Sequence, residues 1–294
     1  MNKRPLGLFF ALLAVIIWSG NFVIASGIVD SIPPITLATL RWITAAVVFL
    51  PFSIKSMLRE RKALREHWFS LLVAAITGVT MFNTLVYVSA QTTDTVNMAL
   101  FASTTPVFVV ILARIFLGET ITLFRSIGLL IAISGMLTIA TRGHLDVLLN
   151  LTFRIGDIWM LLAGFLWAVY SILVKKKPKT ISQYSYLGTV FLVGAIPLIP
   201  AAIIEQPFYP AWSLTPAIIG ATLYIGIGAS LVAFFLWNYA VMYIGPGTSS
   251  LFQYFLPVFS GIGSYFLLGQ PVTVAHGVGF VLIFMGVVMA TRPR

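Results

Sequence analysis

The sequence predicts an all-α integral membrane protein with about ten transmembrane helices, arranged as two inverted five-helix repeats with both termini in the cytoplasm. Three observations support this prediction. The chain is strongly apolar, it contains about ten stretches long enough to cross a bilayer, and its second half repeats its first half. Because each half holds an odd number of spans, the second copy must enter the membrane from the opposite side.

The composition excludes a soluble globular protein. The chain is 59% hydrophobic and only 9% charged, whereas soluble domains carry about 25% charged residues; its mean hydropathy is +1.01. A net charge of +10 would suggest a nucleic-acid partner in a soluble chain, but here the basic residues flank the spans. We therefore expect them to face anionic lipid and set the membrane orientation, and we expect no nucleic-acid partner.

Ten apolar stretches have about the 17–25 residues that a membrane crossing needs. The residues left between them are too few for a soluble domain. The predicted spans lie near Leu6–Ile28, Ile35–Phe52, Trp68–Ser89, Thr95–Phe116, Arg125–Ala140, Ile155–Val174, Tyr184–Ile204, Ala217–Val241, Thr248–Leu268 and Val272–Met289.

The internal repeat is visible in short motifs. A Pro-Val-Phe motif that begins at Pro106 recurs at Pro257, and a Leu-Gly pair that ends at Gly118 recurs at Gly269, both at an offset of 151 positions. We expect a first repeat over residues 1–142, a connecting loop over 143–154 and a second repeat over 155–294. Such symmetry predicts a substrate site near the midplane, between the repeats.

Glycines and a tryptophan extend the match. The Leu-Leu-Ala segment before Trp18 recurs before Trp167, at an offset of 149. Glycines that let helix backbones approach closely predict tight contacts, either within the chain or across a homodimer interface. These glycines are Gly128 with Gly135, Gly279 with Gly286, and Gly261 with Gly263.

Basic residues predict the orientation. With the N-terminus in the cytoplasm, only Arg142 and Arg154 lie in outward loops, as the positive-inside rule requires. The basic residues that then face inward are Lys3, Arg4, Lys55, Arg59, Arg61, Lys62, Arg65, Arg125, Lys175, Lys176, Lys177, Lys179, Arg292 and Arg294.

These features resemble a known family. Trp18 in the first span, Arg41-Trp42 in the second, Pro106 in the fourth and the Leu-Gly-Glu turn that ends at Glu119 look like the EamA-type branch of the drug/metabolite transporter superfamily. The resemblance covers essentially the whole chain, although the second repeat reads Leu-Gly-Gln at the same turn. It implies a bacterial inner-membrane carrier that exports small metabolites by alternating access, similar to YddG-type exporters of aromatic and other neutral amino acids.

The charge pattern narrows the substrate class. No Lys, Asp or Glu falls at the predicted midplane, whereas a sugar-phosphate carrier would place Lys or Arg beside the phosphates and a small multidrug antiporter a Glu in its first helix. That helix instead carries Trp18 and Asn21. A neutral, polar and aromatic cavity is therefore expected, suited to a neutral amino acid; the alternative is a proton-driven exporter of drugs or toxic compounds.

Polar and aromatic residues at helical spacing define the predicted substrate site. Taken singly, each is more often a packing residue, and their recurrence on several spans supports a cavity. The predicted substrate-binding residues are Trp18, Asn21, Thr80, Asn83, Tyr87, Ser103, Thr104, Trp167, Tyr170, Trp237, Asn238, Gln253 and Tyr254.

Arg41 lies about two turns inside the outer end of the second span. One interpretation is a structural arginine that pairs with an outer carboxylate such as Asp30 or Asp94. The other is an outer-gate element or a group that binds a substrate carboxylate. Both interpretations stay open on the sequence.

Pro106 and Pro257 occupy the middle of equivalent spans, where proline kinks a helix and frees a carbonyl about one turn earlier. The freed carbonyls would belong to Ala102 and Gln253 or their neighbours. They could receive a substrate ammonium, or the kinks could serve packing alone.

Catalysis has no support in the sequence. The chain has no cysteine, no hydrolase or nucleotide-binding motif, and three scattered histidines, His67, His144 and His276. We expect no enzyme activity, cofactor or metal site. Without a central titratable group, we expect facilitated transport or exchange; a non-transporting scaffold is the remaining alternative.

Overall fold

The computed structural model describes residues 3–28 and 31–292. Over these ranges the chain forms helices and turns and no β-strand, which confirms the all-α prediction. Ten successive helical segments, called spans 1 to 10, account for most of the chain. Their bounds are Arg4–Ile28, Pro34–Arg59, Trp68–Thr92, Val96–Leu117, Leu123–Ala140, Ile155–Lys176, Gln183–Phe208, Pro216–Ile244, Pro246–Leu268 and Val274–Ala290.

Spans 1 to 9 are long and apolar enough to cross a membrane by length and composition. Span 10 has 17 residues, about 26 Å of helix, slightly less than the roughly 30 Å of hydrocarbon. An even number of spans brings both described ends to one side, and the Arg4 guanidinium there donates a hydrogen bond to the Thr291 carbonyl. We call this side the termini face and the other side the opposite face.

Spans 5 and 10 occupy equivalent positions in the repeats and pack through reciprocal glycine contacts. A Cβ added to Gly128 would lie 2.5 Å from the Gly286 carbonyl oxygen, and one added to Gly286 equally close to that of Gly128. In the second pair, a Cβ added to Gly135 or to Gly279 would likewise lie 2.7 Å from the carbonyl oxygen of the other glycine. Exchange of partners between equivalent positions is the mark of a two-fold relationship. These glycines therefore join the two repeats within one chain.

Spans 2 and 7, also equivalent, hold each other through carboxylates. Glu205, at the end of span 7, accepts hydrogen bonds of 2.8 Å from the backbone N–H groups of Ile35 and Thr36 at the start of span 2. Glu60, just after span 2, accepts one of 2.8 Å from the Ser182 N–H at the start of span 7. Each helix N-terminus thus receives a negative charge from its partner.

Spans 4 and 9 are broken, which corrects the prediction of kinks within continuous helices. Span 4 consists of Thr95–Ala102 and Thr105–Leu117, so Pro106 begins a second helix. In span 9, Pro257 likewise lies in the first turn of Leu256–Leu268, after a short 3₁₀ segment. The first helical turn is where proline is tolerated best, because its missing N–H would have no partner there.

Both second helices end in the Leu-Gly turn of the repeat. Gly118 and Gly269 have φ values of 68° and 66°, in the left-handed region that glycine adopts without strain. Spans 3 and 8, a further equivalent pair, each contain a π-helical segment, at Ile76–Met81 and Tyr224–Val232. Such segments occur often at functional sites.

Candidate functional site

A small cavity of about 60 Å³ lies between the two repeats; we call it the central cavity. Spans 1, 2, 3, 6, 8 and 9 contribute to its wall. The lining residues are Trp18, Asn21, Arg41, Phe82, Asn83, Trp167, Phe234, Gln253 and Leu256.

Aromatic rings form one wall of this cavity. Trp18 and Trp167 are equivalent in the two repeats, and their ring centroids lie 5.4 Å apart in a T-shaped contact. A residue touches its own symmetry mate only beside the axis, so the central cavity lies near the two-fold axis. Phe82 contacts Trp167 in a tilted arrangement with 4.6 Å between the ring centroids, and Phe234 contacts both tryptophans. The Trp18 indole N–H is held by the Ala229 carbonyl at 2.8 Å.

Among the described residues that line the cavity, Arg41 alone is charged. Its side chain is 1% exposed. Nε donates to Ser230 Oγ at 2.6 Å, and Nη1 donates to Asn83 Oδ1 at 3.0 Å and to the Tyr87 hydroxyl at 3.1 Å. Nη2 donates no hydrogen bond to a described residue. The guanidinium is thus fixed by neutral groups.

Of the two outer carboxylates predicted as partners of Arg41, Asp94 forms no ion pair with it. Asp94 instead caps the N-terminus of span 4, accepting from the Asn97 N–H at 2.9 Å. The other candidate, Asp30, lies outside the described residues.

The remaining described carboxylates are also engaged or remote. Asp157 is fully buried but accepts from Thr93, Asn97 and the Arg154 N–H. Glu60 and Glu205 cap spans 7 and 2 as described above. The last three are Glu119, paired with Arg125, and the exposed Glu66 and Asp146. Among the described residues, Arg41 therefore has no anionic partner.

Several polar atoms in the cavity wall also lack partners. These are Asn21 Oδ1, Asn83 Nδ2, Gln253 Oε1 and the indole N–H of Trp167. Because arginine can only donate, the Asn83 atom that faces it is the oxygen, and Nδ2 is left as a free donor. Buried polar groups in folded proteins normally have partners. Other buried polar atoms without partners are scattered through the described residues, but these four share one cavity, so a single polar ligand there would reach all of them.

Five predicted substrate-binding residues thus line the cavity together with Arg41: Trp18, Asn21, Asn83, Trp167 and Gln253. Tyr87 touches it through its bond to Arg41. Phe82, Phe234 and Leu256 also line the cavity but were not predicted, because an apolar residue in an apolar span gives no signal of its own.

Four other predicted residues lie away from the cavity lining. The Thr80 hydroxyl donates to the Gly194 carbonyl in span 7 at 2.7 Å. Asn238 donates to the Tyr170 hydroxyl at 2.9 Å. Trp237 is fully buried behind Trp18, with 5.1 Å between their ring centroids. These side chains support the wall from behind.

The residues at the break in span 4 also satisfy one another. The Ser103 and Thr104 hydroxyls donate to the carbonyls of Leu100 and Phe101 one turn back, both at 2.6 Å. The Tyr254 hydroxyl donates to the Ser103 carbonyl. In span 9, the Gln253 carbonyl, predicted to be free, accepts from the Leu256 N–H. All four of these carbonyls therefore already accept a hydrogen bond within the protein.

A polar contact joins the repeats at the termini face. Arg125, at the start of span 5, pairs with Glu119 at 3.3 Å and donates to the Thr248 hydroxyl in span 9 at 3.0 Å. The Glu119 carboxylate lies against Gly245, between spans 8 and 9, and against Gly247, in the first turn of span 9, with an oxygen 2.5 Å from the Cβ that either residue would carry. We call these five residues the latch.

The repeat equivalents of the latch pair are different. At an offset of 151, Gln270 replaces Glu119 and His276 replaces Arg125. Gln270 is exposed, and His276 Nδ1 contacts the Thr273 side chain of its own helix. The described residues therefore form an ion pair at the termini face that the equivalent positions at the opposite face, Gln270 and His276, do not form.

A wider groove of about 580 Å³ lies at the opposite face, beside Asp94, Asp146, Asn150 and Arg154. It is an open groove between the start of span 4 and the connecting segment, and it does not have the enclosed wall of a typical ligand site. No group of three His, Asp or Glu suited to a metal ion occurs in the described part of the chain. The central cavity is the stronger candidate.

The model of the EamA-like transporter family matches the chain twice, over residues 5–141 and 154–292. The chain belongs to this family. It is therefore a multi-pass membrane transporter, and the two matches agree with the two repeats seen in the fold.

Relatives and a solved structure agree with this EamA-like assignment. The chain is 29% identical over 289 residues to the uncharacterized transporter YyaM of Bacillus subtilis (strain 168), covering 98% of this chain and 94% of that protein. It is 26% identical over 230 residues to a probable terminal-alkyne amino-acid exporter of Streptantibioticus cattleyicolor, covering 76% and 72%. A crystal structure with a TM-score of 0.81 and 19% identity, covering 98% and 96%, shares the fold.

Proposed function

We propose that this EamA-like transporter exports neutral amino acids, aromatic ones included, from the cytoplasm across the bacterial inner membrane. The observation that carries the proposal is the central cavity on the axis between the repeats, walled by aromatic rings and unpaired amides. Inverted-repeat carriers bind their substrates at that place. The relative named as a probable amino-acid exporter supports the same substrate class.

The orientation follows from charge. The termini face carries the basic segment between spans 2 and 3 and the lysines after span 6, so by the positive-inside rule it is the cytoplasmic face. The latch then closes the cytoplasmic side. Release of the latch would admit substrate from the cell interior.

Transport requires the cavity to widen. Its volume of about 60 Å³ is far below the roughly 300–1,000 Å³ of typical ligand sites, so a large side chain can enter only when the aromatic wall moves. The breaks in spans 4 and 9 lie at equivalent positions, and the break in span 9 contains the cavity residue Gln253. They are suitable hinges for alternating access.

We expect transport that is not coupled to protons. The described residues place no carboxylate or histidine in the cavity wall, and proton-coupled carriers use such a group within the membrane. We therefore propose facilitated transport or exchange. A proton-driven exporter of drugs or toxic compounds is the alternative, because its substrates would suit the same aromatic wall.

Flux into proteoliposomes tests the proposal. Labelled phenylalanine, methionine and threonine and a cationic dye would each be measured with and without a pH gradient. We expect saturable amino-acid flux that does not depend on the gradient. Flux of the dye alone, driven by the gradient, would overturn the proposal in favour of drug antiport.

A matched pair of glutamine variants links flux to the cavity. Gln253→Leu should lower amino-acid flux, because Gln253 lines the cavity. Gln183→Leu should not, although Gln183 is buried and also has unpaired amide atoms, since it begins span 7 at the termini face. Equal flux in both variants would separate transport from the central cavity.

A further inference from the structure

We infer that the central cavity recognises the zwitterionic head group of an amino acid: Arg41 and Asn83 Nδ2 bind the carboxylate, and the side-chain oxygens of Asn21 and Gln253 bind the ammonium. This inference rests on the proposed function and adds the groups that select the substrate. It follows from the positive charge of Arg41, which no described carboxylate compensates, and from the placement of unpaired donors and unpaired acceptors on different helices.

Arg41 is a buried cation without a described anion beside it. Arginine stays protonated in proteins, and a buried cation is costly unless an anion or several acceptors compensate it. The Arg41 side chain is 1% exposed and has three neutral acceptors, yet no described carboxylate reaches it. A ligand anion would complete its surroundings.

The donors indicate which anion fits. Arg41 uses Nε and Nη1 to hold itself in place, which leaves Nη2 without a described acceptor. Asn83, fixed through its oxygen by Arg41, leaves Nδ2 unpaired. Two neighbouring donors on one wall suit the two oxygens of a carboxylate.

Acceptors come from other helices. Asn21 Oδ1 on span 1 and Gln253 Oε1 on span 9 are unpaired, whereas the Arg41 and Asn83 donors lie on spans 2 and 3. An ammonium group has three donors and no acceptor, so it matches these oxygens. The tryptophan faces beside them, Trp18 and Trp167, add attraction for a cation.

A zwitterion alone satisfies both sets. An organic cation would meet the positive charge of Arg41 without the carboxylate that offsets it, and an anion without an ammonium would leave the two amide oxygens unpaired. The cavity in this conformation also has room for little more than a head group. These conditions favour amino acids over cationic drugs.

A ligand-truncation cycle tests the inference on the purified full-length protein. Competition against labelled phenylalanine would compare unlabelled phenylalanine, phenylalaninamide, which lacks the carboxylate, and phenyllactate, which lacks the ammonium. In the wild type, we expect each analogue to bind roughly 30-fold or more weakly, since the loss of one partner of a buried charged pair has effects of this size.

The variants separate the two ends of the ligand. Arg41→Gln should reduce the preference for phenylalanine over its amide to within about threefold. Arg41→Lys keeps the positive charge but loses the paired N–H donors of the guanidinium, so it should retain part of the preference. Gln253→Leu should reduce the preference over phenyllactate. Arg114→Gln, on the exposed face of span 4, and Gln183→Leu are matched controls that should change neither ratio.

The outcomes distinguish this inference from the proposed function. If the wild type binds or transports amino acids but Arg41→Gln leaves the amide ratio unchanged, the inference fails and the carrier function stands. If no amino acid binds, the proposed function itself fails. Should Arg41→Gln not fold, as thermal unfolding would reveal, Asn83→Leu removes the second donor and should lower the same ratio.

Discussion

The Tyr254 hydroxyl donates a 2.9 Å hydrogen bond to the Ser103 carbonyl oxygen, across a sequence separation of 151 residues. That separation equals the offset of the repeat, so the two residues are equivalent positions that touch each other. Trp18 and Trp167, at the offset of 149, do the same beside the cavity. The two contacts place the pseudo-two-fold axis through the breaks of spans 4 and 9 and the aromatic wall.

Tyr254→Phe removes this contact without changing the volume of the ring. The Ser103 carbonyl would lose its partner inside the protein, and the free energy of unfolding should fall by about 0.5–1.5 kcal/mol. Denaturant unfolding in micelles measures the change. Tyr265→Phe on span 9, which is 51% exposed, should leave stability within error; equal effects of the two variants would show that the Ser103 contact contributes nothing.

Gly135→Ala should separate spans 5 and 10. The added Cβ would lie 2.7 Å from the Gly279 carbonyl oxygen, a backbone atom that cannot move independently, and overpacking of this kind costs about 1–3 kcal/mol. Thermal unfolding should show a clearly lower midpoint.

The control is Gly277→Ala on span 10, where no atom lies within 4 Å of the added Cβ. Because alanine favours a helix more than glycine does, the Gly277→Ala protein should be as stable as the wild type or slightly more stable. A normal midpoint for Gly135→Ala would mean that the two helices can move apart freely, contrary to the reciprocal packing.

Glu60 makes stability depend on pH. Burial opposes ionisation of this carboxyl, but the Ser182 backbone N–H and the hydroxyls of Ser182 and Ser185 outweigh it and lower the pKa of Glu60 below its usual range. A lowered folded-state pKa adds stability above the unfolded value, near 4.3, and this stability is lost as the pH falls through the folded pKa.

The difference in stability between the wild type and Glu60→Gln should therefore be largest at neutral pH and shrink below about pH 4. Glu66→Gln, an exposed carboxylate in the same connection, should show little difference at any pH. If the difference in stability between the wild type and Glu60→Gln stays constant down to acidic pH, the charge of Glu60 has no role in capping span 7.

Much of the fold was predictable because the sequence repeats visibly. The motif at Pro106 and Pro257 gave the equivalence of spans 4 and 9, and the glycine pairs gave that of spans 5 and 10. The sequence did not determine how these prolines would affect the helix. Proline at mid-span fits either a kinked helix or the first turn of a new one, and only the neighbouring backbone decides.

The cavity was predictable in part, for a physical reason seen in span 3. Helical spacing predicted Thr80, Asn83 and Tyr87 on one face, but the π-helical turn over Ile76–Met81 changes the residues per turn. Thr80 consequently faces span 7, while Asn83 and Tyr87 reach Arg41. The fixed period of an α-helix cannot anticipate such a shift.

The latch leads to a prediction about the direction in which the carrier opens. Glu119→Gln gives the first repeat the residue that the second repeat already has, Gln270, and weakens the contact with Arg125 without removing a side chain. A partly buried pair of this kind is worth about 1 kcal/mol, so the population open at the termini face should rise roughly fivefold.

Because the chain has no cysteine, a single Ser250→Cys can report this opening. Ser250 is fully buried, two residues after the latch residue Thr248. A cysteine there should react with a membrane-impermeant maleimide, applied from the termini face, severalfold faster in the Glu119→Gln background. Glu66→Gln, on the same face but remote from the latch, is the control background. If labelling is equally slow in both, the Glu119–Arg125 pair does not restrain the termini face, and closure there must come from the packing of spans 4 and 9 alone.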